Sequence, residues 1–204
     1  LPVKLKVLEV RTIGPSLGQD SKEKSERAFA IGIVLIMIFL VVVYRMSGIV
    51  ANVALLVYVL ILLAILKYLD ATLTLPGIAG IILSMGFAVD ANILIFERFK
   101  EEVLVGKSLR TSMQAGFKRA FSTILDANVS VMIAAVVLIV MGSGTVRGFA
   151  VNLALGIVVS MFTAILVSRS LLTWFINTGI LVNPRFYGLN RTVGQKDGGK
   201  EGQA

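Results

Sequence analysis

Five stretches of this chain run without a single charged residue: 28–44, 46–66, 71–89, 127–146 and 148–168, the third continuing past Asp90 to Phe96. At 1.5 Å per residue, about 20 apolar residues in a helix cross a hydrocarbon layer roughly 30 Å thick. Backbone polar groups inside that layer must be satisfied within the protein, so only helices and closed barrels span it. None of the five runs alternates polar and apolar positions with a period of two, which argues against the strands of a barrel. Composition agrees: 56% of residues are hydrophobic and only 16% charged, where a soluble domain carries about a quarter. The expected fold is an all-α integral membrane protein, a bundle of five transmembrane helices at about 27–45, 48–68, 74–98, 121–142 and 147–172.

The flanks divide the rest. VKLKVLEV at 3–10 alternates like a strand with one buried face, and GPSLG at 14–18 interrupts it. Residues 1–20 therefore read as the end of an extracytoplasmic domain, with Gly14, Pro15 and Gly18 forming a hinge or an ordinary connector. Asp20 and Glu23 are placed to cap the helix that becomes the first span, opening a membrane domain of residues 21–176. The first run is not a signal peptide, since a polar segment precedes it and no small-residue cleavage site follows. The polar stretch 177–204 reads as a disordered tail. The chain begins at Leu1, as a fragment would.

Basic residues near span ends set orientation. Arg45, Arg98, Lys100, Lys107, Arg110, Lys118, Arg119, Arg169 and several tail residues fall on one side, against Lys67 and Arg147 on the other. The first side is expected to be cytoplasmic, with the N-terminal segment outside. The net charge of +8 is then mainly a topological signal, and no basic run interleaved with aromatics suggests nucleic acid. With no Cys and no His, disulfides, thiolate chemistry and His-ligated metals are excluded. GKS at 106–108 lacks the glycine a phosphate loop needs at position 101, where Glu101 stands; GSGTVRG at 142–148 misses the dinucleotide spacing at Arg147. No cofactor, no metal and no enzymatic site are expected, and any energy source is something other than a bound nucleotide.

Two patterns carry the chemistry. The triplet Asp-Ala-Asn occurs at 90–92 and again at 126–128, both inside apolar spans. An Asp in mid-membrane costs about 2.5–3.5 kcal/mol on insertion scales, so it faces a cavity or a partner. Asn92 and Asn128 supply amides that donate to a carboxylate or accept from a carboxylic acid. Asp90, Asn92, Asp126 and Asn128 are thus candidates for loading and releasing a proton, with burial raising the aspartates toward neutrality; the alternative is that each Asp caps a broken helix or bonds another helix. Arg147, before the fifth span, either snorkels to the surface or acts as counter-ion. The second pattern is a stripe of small or polar residues every four positions, Gly148, Asn152, Gly156, Ser160, Ala164 and Ser168, which allows another helix to approach closely. Gly77, Gly80 and Ser84 recur similarly in the third span. Residues 99–119 are expected to lie along the membrane surface on the face of Leu109, Met113, Phe117 and Ala120.

GPSLG, TLTLPGIAGIILSMGFAVDANILIFERFKEE at 72–102, GFKRAFSTILDANVS at 116–130 and RGFAVNLALGIVVSMFTAILVSR at 147–169 together resemble the SecD protein-export family, which is similar in architecture to resistance-nodulation-division exporters. The resemblance covers nearly the whole chain to about residue 172. It implies a bacterial inner-membrane subunit that uses the proton motive force to assist preprotein translocation, with SecF, the SecYEG channel and YajC as partners. It implies also that this chain is the C-terminal membrane half. By position, Asp90 with Asn92 matches the family's proton-linked aspartate, and Asp126 with Asn128 its second polar motif. Ser130 and Val131 depart from the family's threonines. Two other readings are a small-molecule or lipid exporter of the resistance-nodulation-division type and a passive membrane scaffold.

Overall fold

The computed structural model describes residues 15–71 and 74–177, and every regular element among them is helical. The expected strand at 3–10, Gly14 and the tail from 178 lie outside the described residues. Helix α1 runs from Pro15 to Tyr68, α2 from Leu75 to Leu104, α3 from Leu109 to Met141 and α4 from Gly144 to Phe162; a π-helical turn at Thr163–Ser168 leads into α5, Arg169–Asn177. Four helices are long and apolar enough to cross a membrane, α4 counted together with the segment that follows it. The first two expected spans both fall in α1.

At 1.5 Å per residue, the 54 residues of α1 would reach about 80 Å if straight, more than twice a hydrocarbon core. It is not straight. Arg45 takes φ 49° and ψ −116°, outside any helix. Residues on either side of it meet: the Asn52 side-chain amide donates to the Met37 carbonyl at 3.1 Å. Gly48 lies so close to Leu40 that an added Cβ would stand 2.0 Å from its carbonyl oxygen. Gly48→Ala is accordingly expected to lower stability by about 2 kcal/mol, whereas Gly86→Ala, with nothing within 4 Å, gains helix propensity and is tolerated. Unfolding midpoints of the two variants in detergent check this.

Helix initiation follows local chemistry. Pro15 opens α1, a position where its missing N–H is no loss, so the helix starts five residues before the expected cap. Asp20 instead pairs with Lys24 at 2.7 Å. Thr74 caps α2, its hydroxyl accepting from the Gly77 N–H at 3.2 Å, with Pro76 in the first turn.

The expected surface segment at 99–119 is not present. Its residues extend α2 to Leu104 and start α3 at Leu109 after a four-residue turn. The turn reverses at Gly106, φ 94°, and Ser108 caps α3 through the Thr111 N–H. Met113, Phe117 and Ala120 do share a face, but helix α2 covers it rather than lipid: all three are buried, in the cluster that also holds Phe96 and Phe99. Gly116 allows this approach, since a Cβ there would come within 2.7 Å of the Phe99 backbone nitrogen.

Helix α2 is the axle of the bundle, packed on α4, α3 and α1. One end gathers the basic residues. Lys100 sits 4.5 Å over the Tyr44 ring, beside the break in α1, and Arg169 sits 4.7 Å over Phe117.

Candidate functional site

Helices α2 and α4 run parallel along a polar seam. Asn152 reaches Gly77, where a Cβ would stand 2.6 Å from its amide nitrogen; Gly156 meets Ser84, and Ser168 meets Asn92. The stripe that begins at Gly148 thus lies against the Gly77, Gly80 and Ser84 face of α2, with Asn152, Gly156, Ser160, Ala164 and Ser168 all buried. Ser84 and Gly156 make the tightest contact. The Ser84 hydroxyl is 2.7 Å from the Tyr58 hydroxyl of α1, so three helices share one buried polar node. Ser160 and Thr163 return their hydroxyls to carbonyls one turn back.

The seam ends at the first triplet. Asn92 is 3% exposed; its amide donates to the Ala88 carbonyl at 3.0 Å, and its carbonyl accepts from the Ser168 hydroxyl at 2.5 Å. Ser168 closes the π-helical turn, which inserts an extra residue per turn and so re-aims the side chains that follow; such turns are frequent at functional sites. Nothing in the run TAILVS announces it, apart from the hydroxyls of Thr163 and Ser168.

The aspartates behave differently from the expectation of burial. Residues two apart on a helix point about 200° apart, so an Asp-x-Asn triplet cannot turn both polar groups inward. In both triplets the amide takes the interior, Asn128 being 5% exposed, while Asp90 and Asp126 are exposed on the outside of the bundle. The acid and amide of one triplet therefore do not face each other. The two carboxylates do share a level. Counted from the close approach of Phe99 and Gly116, Asp90 lies nine residues along α2 and Asp126 ten along antiparallel α3, about 14 and 15 Å deeper.

Arg147 is not brought to them. It is exposed in the first turn of α4, level with the start of parallel α2 and about 25 Å from the level of Asp90. Of the hinge residues, Pro15 and Gly18 lie in the first turns of α1.

The helix exit, expected as a solvated end with Arg98 and Glu102 paired, is arranged differently. Arg98 and Glu102 look like a pair at four residues apart, yet Arg98 binds Glu101 at 2.8 Å. Glu102, with its side chain 2% exposed, is held by Lys107 and by Arg119 at 2.7 Å across the α2–α3 turn. Neutralising a carboxylate so enclosed weakens two charge-assisted bonds to buried oxygens, whereas an exposed pair contributes little. Glu102→Gln is expected to lower the unfolding midpoint clearly and Glu101→Gln to leave it unchanged, as read by thermal denaturation of the purified variants.

Long apolar helices joined by short turns are those of a multi-pass helical membrane protein. Residues 2–178 match the family model described as protein export membrane protein SecD/SecF, C-terminal. The chain belongs to the SecD/SecF family. It is 56% identical over 188 residues to the protein translocase subunit SecD of Acidaminococcus fermentans, covering 92% of this chain and 45% of that protein. Against SecD of Synechocystis the identity is 49%, covering 92% and 40%. The crystal structure of SecDF, a translocon-associated membrane protein from Thermus thermophilus, superposes with TM-score 0.83 at 46% identity over 88% of this chain and 25% of that one. SecDF in its super-membrane-facing form gives 0.77 at 45%, over 87% and 24%. The chain thus spans less than half the length of these relatives.

Proposed function

We propose that this chain is the membrane portion of a protein-export subunit that uses the proton motive force to assist preprotein translocation, working with SecF and the SecYEG channel and with YajC as a further partner. The observation that carries the proposal is the outward placement of Asp90 and Asp126 at one level. Two carboxylates facing lipid would cost about 2.5–3.5 kcal/mol each, so each is covered by a partner or opens to water. Such a site takes up and releases protons, and each charge crossing 100 mV delivers about 2.3 kcal/mol. Buried Asn92 and Asn128 act as positioning residues, tying the aspartate-bearing turns into the bundle.

In this reading α1 crosses twice, reversing at Arg45, which makes five spans. The basic end is cytoplasmic, the N-terminal segment lies outside, and the tail lies inside. The π turn at Thr163–Ser168 and the small-residue seam give α4 a surface on which to shift against α2.

Complementation tests the proposal. In cells depleted of their own SecD, the intact protein carrying this segment is expected to clear accumulated secretory precursors. Resistance to toxic small molecules with no effect on precursors would assign it instead to exporters of the resistance-nodulation-division type.

A further inference from the structure

Between the start of α3 and α5 lies a groove lined by Arg110, Met113, Gln114, Arg169, Thr173 and Ile176. Two helices build it, each with a cation at one end and an apolar residue one or two turns on: Arg110 before Met113 and Gln114, Arg169 before Thr173 and Ile176. Its charge is one-sided. No carboxylate lies within ion-pair distance of Arg110 or Arg169 among the described residues, although Arg98, Lys100, Lys107 and Arg119 nearby are all paired with glutamates. Arg169 is fixed by its stack on Phe117, 4.7 Å from the ring centre, so one half of the cationic pair is held in place. Trp174, on the same short helix, is 56% exposed, where an indole marks the membrane–water boundary.

We infer that this groove binds the phosphate-bearing headgroup of an anionic phospholipid, with Arg110 and Arg169 on the phosphate, Gln114 and Thr173 toward the polar headgroup, and Met113 and Ile176 against the first acyl carbons. Guanidinium groups suit phosphate because their forked donors match its oxygens. An amphiphile fits this lining better than a soluble anion, since the groove passes from charge to apolar surface. Docked there, a lipid ties α5, and through it the π turn that carries Ser168, to the α3 end of the bundle.

The test is lipid retention by the intact protein, purified in detergent, doped with phosphatidylglycerol or phosphatidylcholine and read by native mass spectrometry. Phosphatidylglycerol is expected to be retained over phosphatidylcholine, and Arg110→Gln with Arg169→Gln to reduce retention about tenfold. Lys118→Gln, an exposed cation outside the groove, should leave it unchanged. Arg110→Gln alone, which leaves the Phe117 stack intact, guards against a folding defect and should still lose several-fold. Equal losses in all variants, or no preference over phosphatidylcholine, would overturn the assignment. Displacement of the lipid by millimolar inorganic phosphate would give the groove to a soluble anion and overturn it as well. A gain in retention on Asp197→Asn with Glu201→Gln would mean that tail carboxylates fill the groove, with the same consequence.

Discussion

Gly156→Ala is expected to loosen the whole bundle, lowering stability by about 3 kcal/mol, because the added methyl has nowhere to go. Its Cβ would stand 2.1 Å from the Ser84 hydroxyl, 2.3 Å from the Ser84 Cβ and 2.9 Å from the Tyr58 hydroxyl. Ser84 has no longer rotamer to swing away, and moving it breaks the buried bond to Tyr58. A broken bond there leaves buried hydroxyls with fewer partners, which adds to the packing cost. Two comparisons separate this from a general intolerance of side chains in the seam. Gly148→Ala meets only Thr74 at 3.5 Å, an ordinary contact, and should be nearly neutral. Ser84→Gly combined with Gly156→Ala removes the clash and should recover part of the loss, a non-additivity that contacting residues show. Unfolding of the four variants in detergent measures these differences. An additive double variant would mean that Gly156 is needed for something other than its approach to Ser84.

The interface was legible in the sequence because packing in lipid relies on small residues, and a spacing of four displays them on one helix face. Gly148, Asn152, Gly156 and Ser160 could be read directly. Gly116 could not, since a lone glycine in GFKRAF gives no periodicity, and the same stretch reads equally as a surface helix until the Phe99 backbone is placed against it. The face of Met113, Phe117 and Ala120 was correct and its partner was not: hydrophobic periodicity reports that a face is covered without saying whether by lipid or by protein. At Arg45 the two kinds of reading meet. Hydropathy sees two apolar runs with one charge between them, and the backbone of α1 leaves helical geometry at that same residue.

The triplets show how far a motif can be read without a helix around it. Their location inside the spans, and the chemistry available to acid and amide, followed from composition. Their division of labour followed only from helical geometry, which sends residues two apart to opposite sides. Asn92 is therefore the buried anchor, bonded to Ser168 across the seam, and Asp90 is the outward group. Under the proposed coupling, Ser168→Ala should act through Asn92 and weaken gradient-driven export without abolishing it, whereas loss of the Asp90 carboxylate removes the proposed proton carrier itself.

That difference sets the decisive measurement: preprotein export into vesicles holding the intact subunit with SecF and SecYEG, under an imposed proton gradient, for the native protein and for Asp90→Asn. An amide of the same size cannot ionise and so cannot carry a proton in exchange for charge movement. The gradient-dependent part of export is expected to fall by about tenfold or more, while assembly and ATP-driven export are kept. Unchanged gradient-dependent export by a properly assembled Asp90→Asn complex would contradict proton coupling at this site and leave the triplet a structural feature of α2.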